Sequence, residues 1–103
     1  MVALTVTSDF STPRLDCDLT EVDRLTYSLV VNSSKGLEWV DVQVRDNSGR
    51  IHAIGVHRLS DVTFTATIHL VGLPVGVARL QVRGADDLGN LGQFDGKVTV
   101  PPN

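Results

Sequence analysis

The sequence predicts an all-β domain, a sandwich of two antiparallel sheets with seven to eight short strands. Three observations predict it. Apolar residues recur at every second position through most of the 103 residues, clusters of turn-forming residues separate these runs, and no long segment carries a helical period. Strands with one apolar face bury it economically when two sheets pack face to face. A closed barrel is the competing architecture for the same pattern.

Taken in order, Val2, Leu4 and Val6 alternate with small residues as a first strand, which Phe10 to Pro13 breaks. Leu15, Cys17 and Leu19 alternate with Asp16 and Asp18, a short edge segment with one polar face. Leu25, Tyr27, Leu29 and Val31 form the next run, ended by the turn cluster Asn32-Ser33-Ser34-Lys35-Gly36. Val40, Val42 and Val44 follow, and Asp46-Asn47-Ser48-Gly49 marks a hairpin, because Asn and Gly tolerate the positive φ of tight turns. Ile51 to Val56 reads as one short strand with Gly55 as a bulge. Val62, Phe64, Ala66, Ile68 and Leu70 alternate with Thr63, Thr65, Thr67 and His69 in the cleanest strand of the chain. Leu73-Pro74-Val75-Gly76 connects it to Ala78, Leu80 and Val82; Asp86 to Asn90 turns the chain again; Phe94, Val98 and Val100 complete it. The expected core is Tyr27, Leu29, Val42, Phe64, Ile68, Leu80, Val82 and Val98, each in the apolar phase of its strand.

Length allows one domain over residues 1–103 and one core. A hydrophobic content of 42% suits a globular domain, and a net charge of −3 argues against nucleic acid as a partner. No apolar run is long enough to insert in a membrane, and the first ten residues lack the basic start and apolar stretch of a signal peptide. Export would then use a signal elsewhere in a longer parent chain. The single cysteine, Cys17, excludes an internal disulfide and a cysteine-rich zinc site. With no His or Lys nearby in sequence, it reads as a small apolar residue rather than a reactive thiol.

From Gly36 onward the chain resembles a known family. "GLEWVDVQVRDNSGR" looks like the third strand of bacterial immunoglobulin-like domains, and "DVTFTATIHLVGLPVGVARLQVRGADDLGNLG" is closer still. Such domains run a Thr-rich strand into Leu-Pro-x-Gly, here Leu73, Pro74 and Gly76. A strand then ends in Ala-x-Asp-x-x-Gly-Asn, here Ala85, Asp86 (one position early), Gly89 and Asn90. Relatives place a Tyr shortly after Leu-Pro-x-Gly to brace that corner, where this chain has Val77 and Ala78. The resemblance covers about two thirds of the chain and implies an immunoglobulin-like β-sandwich. It also implies a context: a spacer or adhesive module of an exported protein, an appendage of a polysaccharide-degrading enzyme, or a virion decoration. These motifs are turn and strand chemistry, and they carry fold rather than function.

No catalytic constellation is visible. Nucleophilic catalysis needs a Ser, Thr or Cys beside an oriented base. The three histidines are His52, His57 and His69; His69 falls on the outward phase of its strand, and His52 and His57 lie on opposite faces of one. Two acidic stretches are weak calcium candidates: Asp16, Asp18, Glu21 and Asp23, and the loop carrying Asp86, Asp87 and Asn90. Edge solubility and Asx-type turn bonding explain them as well.

The outward residues of three strands expected side by side are more informative. They are Trp39, Asp41, Gln43 and Arg45; Arg79, Gln81 and Arg83; and Lys97 and Thr99. Trp39 is out of phase with Val40, Val42 and Val44, so it stays outside the core. An indole among Arg and Gln side chains resembles a binding patch for a sugar or an acidic partner. The same positions also fit an ordinary surface on which Arg stems shield apolar atoms. The expectation is a non-catalytic structural or docking module, extracellular, on a cell surface or on a virion, with no cofactor. Its partners would be neighbouring domains or copies of itself. The alternative is an accessory module that binds polysaccharide or an acidic partner through Trp39, Arg79 and Arg83.

Overall fold

The computed structural model describes residues 12–102. The strand expected at Val2 to Val6 lies outside them. The elements are β1 (Leu15–Asp23), β2 (Thr26–Ser33), β3 (Trp39–Arg45), β4 (Ile51–Ile54), β5 (Val56–Arg58), β6 (Thr63–His69), β7 (Gly76–Ala85) and β8 (Leu91–Val100). They form two antiparallel four-stranded sheets in the orders β1-β2-β6-β5 and β4-β3-β7-β8. This is the A-B-E-D and C′-C-F-G arrangement of an immunoglobulin-like sandwich.

The core sits between the sheets. Leu29, Val31, Phe64, Ala66 and Ile68 face Val42, Val44, Ala78, Leu80, Val82, Val98 and Val100, all buried. Seven of the eight expected core residues are therefore buried. Tyr27, near the start of β2, is half-buried, and its hydroxyl donates to Glu21 Oε1 at 3.4 Å. Cys17 packs half-buried against the core on edge strand β1, which is a full nine-residue strand rather than a short segment. Burial, with Asp16 and Asp18 beside it, pushes the Cys17 thiol up to about 11, so it stays protonated and unreactive at neutral pH.

Ile51 to Val56 is not one bulged strand. β4 pairs with β3, and β5 pairs with β6, so the chain changes sheets at Gly55. This puts His52 and His57 on different sheets. It also lets Arg58 brace the end of the sandwich: its guanidinium lies 4.8 Å from the Phe64 ring centroid and donates to the Leu37 and Glu38 carbonyls at 3.0 and 2.9 Å.

Two hairpins are built on one plan. Residues 46–50 and 86–90 both read Asp-x-x-Gly-x. In each, the Asp N–H donates to the fifth carbonyl, at 2.9 Å (Arg50) and 3.1 Å (Asn90), while the Gly N–H donates back to the Asp carbonyl. The glycines need their freedom here, with φ of 93° and 85°. Each Asp Oδ1 accepts from the third and fifth backbone N–H groups. The corner lacking the family's Tyr is tied differently: Asn47 Nδ2 donates to the Val75 carbonyl at 3.3 Å.

The fold has two distinct ends. Arg14 and Ser34 exchange two hydrogen bonds at one end, where Glu38 also reaches Ala85. At the other, Leu70 N–H donates to Leu25, and Arg24 hydrogen-bonds the carbonyl of Pro102. The described residues thus begin at one end of the sandwich and finish at the opposite one.

Candidate functional site

Both hairpin carboxylates are buried and fully engaged. Asp46 Oδ2 lies 2.8 Å from His52 Nε2, and Asp86 Oδ2 lies 2.7 Å from Lys35 Nζ and 3.0 Å from Asn90 Nδ2. His52, followed by Ser48, holds the Asp46 carboxyl far below the usual range; Lys35, followed by Asn90, does so for Asp86. A folded-state value lower than the unfolded one stabilises the fold above about pH 4, and that contribution is lost as pH falls through the folded value. Unfolding free energy should therefore hold steady down to about pH 5 and drop on further acidification. Asp86→Asn should lower it at pH 7 and flatten its dependence on pH, which urea melts across the acid range would measure. An unchanged pH profile in Asp86→Asn would contradict this account.

Ser48, Asp46 and His52 are the residue types of a hydrolase triad, but joined in the wrong order. A triad places His between Ser and the carboxylate. Here the carboxylate lies between them, with Ser48 Oγ donating to Asp46 Oδ1 at 2.6 Å. This is a turn staple.

Of the calcium candidates, Asp86 is occupied by Lys35 and its own turn, Asn90 donates to it, and Asp87 points to solvent. Among the described residues, no three His, Cys, Asp or Glu side chains are placed to hold a metal ion. Adding calcium or EDTA should leave the melting temperature unchanged; a calcium-dependent rise would mean a site exists.

The outward face of β4-β3-β7-β8 carries the remaining candidates, and strand pairing arranges them in rows. Arg45 is opposite Arg79, which is opposite Lys97. Next comes Gln43–Gln81–Asp95, then Asp41–Arg83–Gln93, then Trp39–Ala85–Leu91. The structure therefore brings Gln43, Arg45, Arg79, Gln81 and Lys97 together around an open concavity of about 1000 Å³, with Ile51, Gln93 and Asp95 completing its rim. Trp39 and Arg83 share the face but not the concavity. Arg83 is held by Asp41 at 2.8 Å, and Trp39, 45% exposed, stands in the far row with Leu91.

Sequence reasoning missed Gln93 and Asp95. Alternation back from Lys97 would have placed them outward, but Gly92 and Gly96 blank the inward phase of that strand. Asp95 accepts from Gln93 Nε2 at 3.0 Å. Among the described residues, Arg45, Arg79 and Lys97 take part in no ion pair. Like charges directly opposite on a sheet destabilise it. Arg79, flanked on both sides, carries most of that cost. Arg79→Thr should raise unfolding free energy by about 0.2–1 kcal/mol, read from denaturant melts at low salt. A loss of stability would show that the Arg stem is a packing element instead.

No family model matches the chain, and no curated protein matches it. Among solved structures, it is similar in fold to part of chitinase ChiW from Paenibacillus sp. str. FPU-7, a cell-surface-expressed multi-modular enzyme. The TM-score is 0.60 at 16% identity, over 86% of this chain. The match spans 8% of the chitinase's length. The archaellum periplasmic stator protein FlaG from Sulfolobus acidocaldarius also aligns, with a TM-score of 0.46 and 12% identity over 82% of this chain and 98% of that one.

Proposed function

We propose that this chain is a non-catalytic structural module of the bacterial immunoglobulin-like family, a spacing, presenting or docking domain of a larger exported or assembled protein. Such a protein would act at a cell surface or on a virion. The observation that carries the reading is the placement of Thr12 and Pro102 at opposite ends of the sandwich, joined by antiparallel strands of nine or ten residues. Placement of these two described positions at opposite ends suits a module that spaces its neighbours apart. Support comes from the staples as well: Asp46, His52, Asp86, Lys35 and Arg58, the residues chemistry would recruit, are spent on holding turns and the sandwich end. The fold shared with part of a multi-modular cell-surface enzyme fits this use.

The test places labels at Thr12→Cys and Pro102→Cys in a Cys17→Ser background. Their separation should be about 30 Å, the rise of nine or ten extended residues. A short separation would sink the spacer role. Incubation with polysaccharide, ester and peptide substrates should give no turnover; turnover abolished by Ser48→Ala or His52→Ala would make the chain an enzyme. The unpaired cation row favours a second reading within the same class, docking of an anionic partner on the outer face.

A further inference from the structure

We infer that the concavity on the outer face of β4-β3-β7-β8 binds a carboxylate-bearing polysaccharide, with Arg45, Arg79 and Lys97 taking the carboxylates and Gln43 and Gln81 the hydroxyls. The inference rests on the docking reading and names its ligand.

Four observations lead there. The first is the charge. Three cations stand in one row across three adjacent strands, without ion-pair partners among the described residues, on a chain whose net charge is −3. A row that destabilises the free sheet is relieved when an anion lies across it.

The second is the spacing. Neighbouring strands are about 4.8 Å apart, so the three charges spread over about 10 Å. A small anion meets one or two of them, whereas a polymer with repeated carboxylates meets all three. Guanidinium groups suit this, because their forked donors match a carboxylate bidentately.

The third is the neighbouring row. Gln43 and Gln81 face each other beside the cations. A carboxamide both donates and accepts, as a sugar hydroxyl does, so the pair serves a ligand that presents hydroxyls beside its charges.

The fourth is what lies elsewhere. A neutral glycan is held by stacking on an aromatic ring, but Trp39 stands four residues along β3 from Gln43, about 13 Å away, outside the concavity. A protein partner anchors on buried aromatic and aliphatic side chains at the centre of its footprint. Here the amides of Gln43, Gln81 and Gln93, the Asp95 carboxylate and the Gly96 backbone lie among the cations, and the large aliphatic members of the lining are the buried Leu80 and the exposed Ile51.

The experiment measures binding of the whole chain to polygalacturonate, neutral dextran and poly-glutamate, at low and high salt. Binding to polygalacturonate and not to dextran is expected, and it should weaken with salt because exposed charges are screened. The double variant Arg79→Ser/Lys97→Ser should weaken it by about tenfold or more while still unfolding cooperatively, since both side chains point to solvent. Arg14→Ser, the same kind of charge change at the exposed end of the sandwich, should leave it intact. Undiminished binding by the double variant overturns the site. Binding to poly-glutamate but not to polygalacturonate overturns the polysaccharide and leaves the docking reading standing. Binding to neither removes both.

Discussion

Phe64→Ala is expected to cost about 3–5 kcal/mol of unfolding free energy. Phe64 is 2% exposed on the inner face near the start of β6, opposite Val31 on β2 and Arg58 on β5. Its removal loses the transfer energy of a full aromatic ring and leaves a cavity that the paired strands on either side cannot collapse into. The ring has a second task as the platform for the Arg58 guanidinium, which holds the Leu37 and Glu38 carbonyls at the entry to β3. Phe64 and Arg58 should therefore be coupled. A double-mutant cycle with Phe64→Leu and Arg58→Ala should give an interaction energy of about 0.5–1 kcal/mol. Guanidinium chloride melts measure both. A loss below about 1 kcal/mol in Phe64→Ala would mean that β6 presents its other face to the core.

That strand shows what the sequence makes legible. Five apolar residues at every second position from Val62 to Leu70 set the phase, and four of them are buried; Val62 falls in the loop before β6 and is exposed. The hairpins at 46–50 and 86–90 are equally readable, because a positive-φ glycine and an Asx turn leave a local signature. Asp46 and Asp86 each reach farther than their turns. Nothing in the sequence marks Lys35 as the partner of a carboxylate on a turn more than fifty residues away.

Register sits at the limit of legibility. Alternation tells which face a residue occupies, but not which residue stands opposite it on the next strand. The outward positions Arg45, Arg79 and Lys97 follow from alternation, whereas their meeting in one row depends on pairings fixed by the whole sheet. The same limit explains why Trp39 and Arg83, plausible members of one patch in the sequence, are set apart from it by distance along the strand. Gly55 marks the other limit. A short apolar-alternating run looks the same whether it bulges within one sheet or hands the chain to the other, because either way its local residues are extended and half-buried.

Gly92→Ala is expected to be the most damaging small-to-large change, costing about 1–3 kcal/mol or more. Gly92 faces inward on β8 and pairs with Gly84. A Cβ there would overlap the Pro13 carbonyl oxygen and come within 3.1 Å of the Pro13 carbonyl carbon and 3.4 Å of Leu15 Cγ. Backbone cannot step aside as a flexible side chain can. The segment that would have to move is the one that closes the sandwich, where Pro13 and Leu15 are buried and Arg14 exchanges hydrogen bonds of 2.8 and 3.0 Å with Ser34. The damage should thus have a place as well as a size, with faster amide exchange at Arg14, Leu15 and Ser34 than in the wild type, beyond what the global loss explains. Gly55→Ala is the matched control. A Cβ at Gly55 meets nothing within 4 Å, and its φ is not positive, so the change should be neutral or stabilise by about 0.4–1 kcal/mol through the unfolded chain. If Gly92→Ala instead melts like Gly55→Ala, with exchange at Arg14 and Ser34 unchanged, Pro13 does not lie against β8, and the near edge of the sandwich is held by β1 alone.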